Sequence, residues 1–150
     1  MSDDVRVVDV GPRPTAVVRA TTTWQEFPSL WRPLLDDVWA FLRSPDCPVR
    51  VAGHNVMLYL DDTPTVEVGV GVSGPFPPVG RVEPSLLPDG RVATYTLRGP
   101  YDGLGAAHRT VIEWCRAHGH EITGTRWEIY GDWHDDPAQL ETEVCYLLRR

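Results

Sequence analysis

The sequence contains no lysine: all fourteen basic residues are arginine, scattered along the chain without forming a run. Phosphate backbones attract clustered Lys and Arg, so direct nucleic-acid binding is not expected. Long apolar runs are missing too, and no stretch approaches the roughly 18 residues of a membrane span. Met1–Val10 is acidic and has neither the basic nor the apolar region of a signal peptide. A cytoplasmic protein without membrane attachment is therefore expected. Cysteine is scarce: Cys47, Cys115 and Cys145 are odd in number and have no C-x-x-C spacing. That argues against a disulfide framework or a zinc ribbon, and the thiols read as reduced packing residues. His118 and His120 flank one glycine but lack a third ligand, so no metal is expected. No cofactor is expected either. Gly69-Val70-Gly71-Val72-Ser73-Gly74 spells G-x-G-x-x-G, yet Pro75-Phe76-Pro77-Pro78 follows in place of the helix a phosphate cradle needs. Pro75 likewise spoils the near nucleophile elbow around Ser73.

What is present is an ordinary globular composition: 150 residues, 42% hydrophobic and 23% charged, enough for one domain over 1–150 with a sizeable core. The net charge of -7 suits a cationic or neutral partner better than an anionic one.

Along the chain, 15–22 is β-branched and reads as a strand. Ser29 is a candidate N-cap for a helix carrying Trp31, Leu34, Leu35, Val38 and Leu42 at helical spacing, ending before Pro45. Strands are expected over 55–61 and 66–73, joined by a turn at Asp62-Thr63-Pro64. A Pro/Gly-rich link, 74–88, follows. The pattern then recurs: a strand at 91–98, a helix from an Asp102 cap through His118 with Gly119 as its stop, and strands at 126–131 and 143–148. Met57-Leu58-Tyr59 matches Glu128-Ile129-Tyr130, and Glu67-Val68 matches Glu143-Val144. These correspondences define pseudo-repeats of about 12–73 and 90–149. The expected fold is α+β: a duplicated βαββ unit whose antiparallel sheet carries two helices on one face and a ligand pocket on its concave face.

Strand alternation suggests where that pocket lies. If Val56, Leu58, Leu60, Val68, Val70 and Val72 pack under the helices, with Trp127, Ile129, Val144, Tyr146 and Leu148, then Met57, Tyr59, Glu128 and Tyr130 face the other way. Gly69 and Gly71 would leave space among them. Trp39 and Trp133 are candidate rim residues. Glu128 stands where the first repeat has Met57, so an acid interrupts the repeat inside an aromatic pocket. An unpaired buried carboxylate is costly, and a cation on the ring faces would offset that cost. His108 falls on the apolar side of its helix and reads as a packing residue.

Gly99-Pro100-Tyr101-Asp102-Gly103-Leu104, with Trp114, Gly119, Trp127-Glu128-Ile129-Tyr130 and Glu143, resembles the GyrI-like family, which includes the effector-binding domains of AraC-type and MerR-type regulators and has a SOUL-like fold. The resemblance covers 91–148 well, and the first half agrees in layout only. It implies the duplicated βαββ fold and binding of an amphipathic, cationic or aromatic small molecule, with Glu128 as the anchoring glutamate. Tyr101 lies in the matched G-P-Y motif. Tyr59, Tyr130, Met57, Trp39, Gly69 and Gly71 join the candidate site by face and spacing alone. There is no room before Val5 for a helix-turn-helix, so a free-standing binding or sequestering domain is the leading expectation. Two alternatives accompany it. One is a hydrolase of cyclopropane-bearing alkylating natural products, using Glu128 and Tyr101. The other is a protein-partner module modulating gyrase or a regulator.

Overall fold

A computed structural model describes residues 4–150; the first three residues of the acidic Met1–Val10 stretch lie outside it. The described strands and helices are β1 (Arg6–Val10), β2 (Arg13–Thr21), α1 (Phe27–Leu42), β3 (Val51–Tyr59), β4 (Thr65–Val72), β5 (Val82–Leu87), β6 (Gly90–Arg98), α2 (Leu104–Ala117), β7 (Ile122–Tyr130) and β8 (Glu141–Leu148). The fold is α+β with antiparallel strand pairs, as the repeat implied. The chain divides into two compact units, Pro12–Leu87 and a second formed by Pro88–Arg150 with the residues up to Gly11.

Within the first unit the strand order is β3-β4-β2-β5, and within the second it is β7-β8-β6-β1. The pairings repeat residue for residue. Met57 pairs with Val68 and Glu128 with Val144; Tyr59 pairs with Val66 and Tyr130 with Thr142. Even the irregularities coincide, since the register shifts between Val51 and Asn55 in one unit and between Ile122 and Arg126 in the other. Each unit also has a fourth strand beyond βαββ. The expected link 74–88 contains β5, which pairs with β2, and the acidic start of the chain supplies β1, which pairs with β6. Prolines hid β5: Pro84 sits within it, where an edge position tolerates the missing N–H.

The helix starts differ from expectation. Thr23 opens α1, its hydroxyl accepting from the Glu26 N–H at 3.1 Å. Ser29 lies inside the helix, with its hydroxyl donating to the Glu26 carbonyl. Asp102 sits in the short 3-10 turn 101–103 rather than capping α2. The other end of α2 is as anticipated: His118 Nδ1 meets the Trp114 carbonyl at 2.8 Å and Gly119 takes φ +75°. The core of the second unit joins Val5, Ala93, Ala107, Val111, Cys115, Val144, Tyr146 and Leu148. Cys115 and Cys145 are buried free thiols, and burial pushes the Cys115 thiol up.

Register also corrects the face assignment. Paired residues on antiparallel strands point to the same side. The Tyr59 ring meets Phe27 of α1, and Trp39 of α1 donates from Nε1 to Asn55 Oδ1 at 3.0 Å. Asn55, Met57 and Tyr59 therefore face α1, together with their partners Val70, Val68 and Val66. Val56 and Leu58 lie on the opposite side with Gly69 and Glu67. The same parity puts Glu128 and Tyr130 on the α2 side with Val144 and Thr142, while Trp127 and Ile129 face away. Each strand alternates as expected, but the grouping of neighbouring strands was offset by one residue.

Candidate functional site

The second unit places four polar side chains in a row beneath α2. The run Ala107-His108 to Val111 repeats the burial pattern of Leu34-Leu35 to Val38, which puts His108 at the position of Leu35. From there His108 Nε2 lies 2.7 Å from Glu128 Oε2, and its Nδ1 lies 2.7 Å from the Tyr146 hydroxyl. On the other side, the Tyr130 hydroxyl donates to Glu128 Oε1 at 2.5 Å. Glu128 is only 5% exposed. The network thus gives each oxygen of a buried carboxylate a hydrogen-bonding partner, which offsets desolvation of the charge.

Tyr101 completes the group. It lies in the turn leading into α2, after Gly99 at φ +128°, and its ring meets the Tyr130 ring edge-on at 5.6 Å. At 38% exposure it is the accessible aromatic of the group. Thr142, paired with Tyr130 and fully buried, has a hydroxyl without a hydrogen-bond partner among the described residues. A polar atom in that state can accept or donate a bond.

The other expected site residues, apart from Trp133, fall in the first unit. Tyr59 is packed between Trp24 and Phe27, at 5.5 and 5.7 Å, and its hydroxyl points to Met57 Sδ at 3.7 Å. Trp39 is held by Asn55 and lies under the Arg43 guanidinium, 5.4 Å from the ring centroid. Trp133 is exposed. The glycines do not open space. A Cβ on Gly69 would come within 1.9 Å of the Ala16 carbonyl oxygen, and one on Gly71 within 3.1 Å of Gly53 Cα. Close backbone approach on the side away from α1 requires glycine at Gly69, and Gly71 packs tightly against Gly53 on the same side. An open cavity of about 480 Å³ lies elsewhere, lined by Asp4, Val5, Arg6, Thr94, Tyr95, Thr96 and Arg98, and it does not include Glu128.

His108 and Tyr146 were legible only as helix-facing residues. The signal that could have singled out His108 is the repeat itself: Leu35 becomes His108 just where Met57 becomes Glu128.

The α+β scaffold of antiparallel strands and two helices is that of a known class of domains. The chain belongs to the GyrI-like small-molecule-binding domain family, whose profile matches residues 3–149. Among solved structures it is similar to the C-terminal domain of EcmrR, at 18% identity and TM-score 0.80 over 98% of both chains. It spans 57% of EcmrR as seen in a DNA complex. SAV2435 bound to tetraphenylphosphonium matches at 10% identity and TM-score 0.75, over 98% of this chain and 94% of that one. A hydrolase from Listeria innocua matches at 10% identity and TM-score 0.62, over 97% and 91%. At these identities the structural likenesses establish the fold. No curated protein matches the chain.

Proposed function

We propose that this domain binds an amphipathic, cationic aromatic molecule at Glu128, with the rings of Tyr101 and Tyr130 beside it. The observation that carries the reading is a carboxylate buried to 5% exposure among aromatic side chains, with both oxygens held in place. Such a group acts on a ligand through its charge, which is felt strongly where water is excluded. The nearby ring faces add roughly 0.5–2 kcal/mol each to a cation that lies on them. A lipophilic cation fits both requirements without supplying a hydrogen-bond donor. The similarity to SAV2435, solved with tetraphenylphosphonium, supports that ligand class.

The test is titration calorimetry of the full chain with tetraphenylphosphonium. Glu128→Gln should weaken binding by about 1–4 kcal/mol, the range for a close pair of opposite charges between bulk water and a partly dry protein surface. Its melting temperature should fall, because a carboxamide offers one acceptor oxygen where Tyr130 and His108 need two. Unchanged affinity would remove Glu128 from the site.

A second reading rests on a different feature of the same residues. Glu128, His108, Tyr130 and Tyr146 bring acid–base groups within 2.7 Å of one another. That arrangement suits hydrolysis of a strained cyclopropane: Glu128 takes a proton from an attacking water as the water oxygen bonds to a ring carbon and a ring C–C bond breaks, while a tyrosine hydroxyl hydrogen-bonds the conjugated carbonyl oxygen that receives the electron pair. The likeness to the Listeria hydrolase agrees with it. Chromatographic detection of the ring-opened, water-added product, lost in Glu128→Gln, distinguishes turnover from binding.

A further inference from the structure

The role of His108 goes deeper than packing. A carboxylate only accepts hydrogen bonds, so the imidazole nitrogen 2.7 Å from Glu128 Oε2 carries a proton. In a neutral ring the other nitrogen then accepts, and the Tyr146 hydroxyl at 2.7 Å is its donor. With a neutral imidazole the chain runs in one direction: Tyr146 donates to His108, His108 donates to Glu128, and Tyr130 donates to the other carboxylate oxygen. In that arrangement the four side chains together carry one negative charge.

We propose that His108, fixed in its tautomer by Tyr146, is the positioning residue that makes this site select cations over anions of the same shape. The inference rests on the proposed binding of a lipophilic cation at Glu128. Two features argue that the arrangement serves the ligand rather than the fold. The first unit reaches the same backbone geometry with Leu35, Met57 and Val70 at the positions of His108, Glu128 and Tyr146, so the packing alone needs none of the three. In addition, each carboxylate oxygen is held by a hydrogen bond from a protein side chain, so the charge is fixed in place and can attract a cation that has no hydrogen-bond donor. That favours shielded cations such as quaternary phosphonium ions.

The experiment compares tetraphenylphosphonium with tetraphenylborate, near-identical in shape and opposite in charge, by calorimetry on the full chain. Wild type should prefer the cation by at least tenfold. His108→Leu removes the donor to a buried carboxylate and should reduce that preference at least tenfold. His108→Gln, whose amide can still donate to Glu128, should restore it to within about threefold of wild type. Tyr146→Phe, which unfixes the tautomer, should fall between the two. Melting curves identify a variant that fails to fold, and the Gln rescue keeps the test decisive if His108→Leu does. Should Glu128→Gln abolish the preference while all His108 variants keep it, the role assigned to His108 is wrong and the binding site stands. If Glu128→Gln itself leaves the preference intact, the binding reading fails first.

Discussion

The two units share a backbone plan and differ in polarity at one set of positions. Beneath α1 the first unit has Leu35, Met57, Val66 and Val70; beneath α2 the second has His108, Glu128, Thr142 and Tyr146. The aromatic residue three positions before each helix persists, as Trp24 against Tyr59 and as Tyr101 against Tyr130, at 5.5 and 5.6 Å. So does the tyrosine hydroxyl reaching back two residues along its strand, to a thioether in one unit and a carboxylate in the other. The apolar version shows that the helix-facing side of the sheet packs without a buried charge. The polar version has therefore taken on groups whose burial costs free energy, and ligand chemistry is the reason offered above.

The comparison runs the other way on the far side of the sheets. There the second unit has Cys145 and Leu147 where the first has Gly69 and Gly71. At these positions the first unit brings backbone close to backbone, and the second carries side chains. Glu67 is buried on that side, where it accepts from Ser85 at 2.6 Å and lies 3.7 Å from Arg19.

The largest effect that would sharpen this contrast is expected from Gly69→Ala. Its methyl would overlap the Ala16 carbonyl, which cannot swing aside as a side chain could. A loss of about 3 kcal/mol or more, read by urea denaturation, is expected. Cys145→Ala, its counterpart, should cost only about 1 kcal/mol. Equal losses would erase the distinction between the units on that side.

Transplanting the acid is the next test. Met57→Glu places a carboxylate under α1 without a histidine at Leu35, and should destabilise by about 3 kcal/mol. Adding Leu35→His should return part of that loss, because the pair is what makes burial tolerable. If Met57→Glu is neutral, the first unit already compensates a charge, and the polarity argument for the second weakens.

Tyr101→Ala should cost less, about 1 kcal/mol of cation affinity, since one partly exposed ring face is removed. Trp24→Ala gives the comparison in the first unit and should leave calorimetric affinity unchanged if the site lies wholly in the second.

The smallest effect concerns the hairpin turns. Asp61 Oδ1 accepts from the Thr65 N–H at 2.8 Å and the Thr63 N–H at 3.0 Å. The Thr65 amide bond, reinforced by that from Thr63, holds its carboxyl below the usual carboxylate range. A depressed folded-state value means the stabilisation is present above the unfolded-state value, near 3.8, and is lost as pH falls through the folded one. Asp61→Asn should therefore flatten the acid limb of the melting-temperature profile below about pH 4. The longer turn of the second unit, with Asp136 Oδ1 accepting from Ala138 N–H at 3.0 Å, lies outside the reach of that change.

How much of this was legible in the chain follows from the range of each signal. Hydrophobic periodicity located both helices and six strands, and the match of Met57-Leu58-Tyr59 with Glu128-Ile129-Tyr130 marked positions that proved equivalent in register. Those signals are local, written within ten or so residues. Glu128 stood out because it breaks the repeat, whose two copies pair in matching register. β5 was missed because Pro84 and its neighbours carry turn chemistry, and only pairing with β2 makes them a strand. The faces were misgrouped for a related reason. Alternation determines which residues of one strand share a side, but pairing alone decides which side a neighbour's residues join. Hence Gly69 was grouped with Tyr59, although it pairs with Val56. His108 shows the same limit. Its helix position was readable, and that its imidazole would meet a carboxylate twenty residues away was not, because that contact forms only when α2 lies across the paired strands β7 and β8. The sequence by itself determined the repeat, the elements and the odd acid; the tertiary structure decided which side chains meet, because strand register and helix docking are set by contacts between segments far apart in the chain.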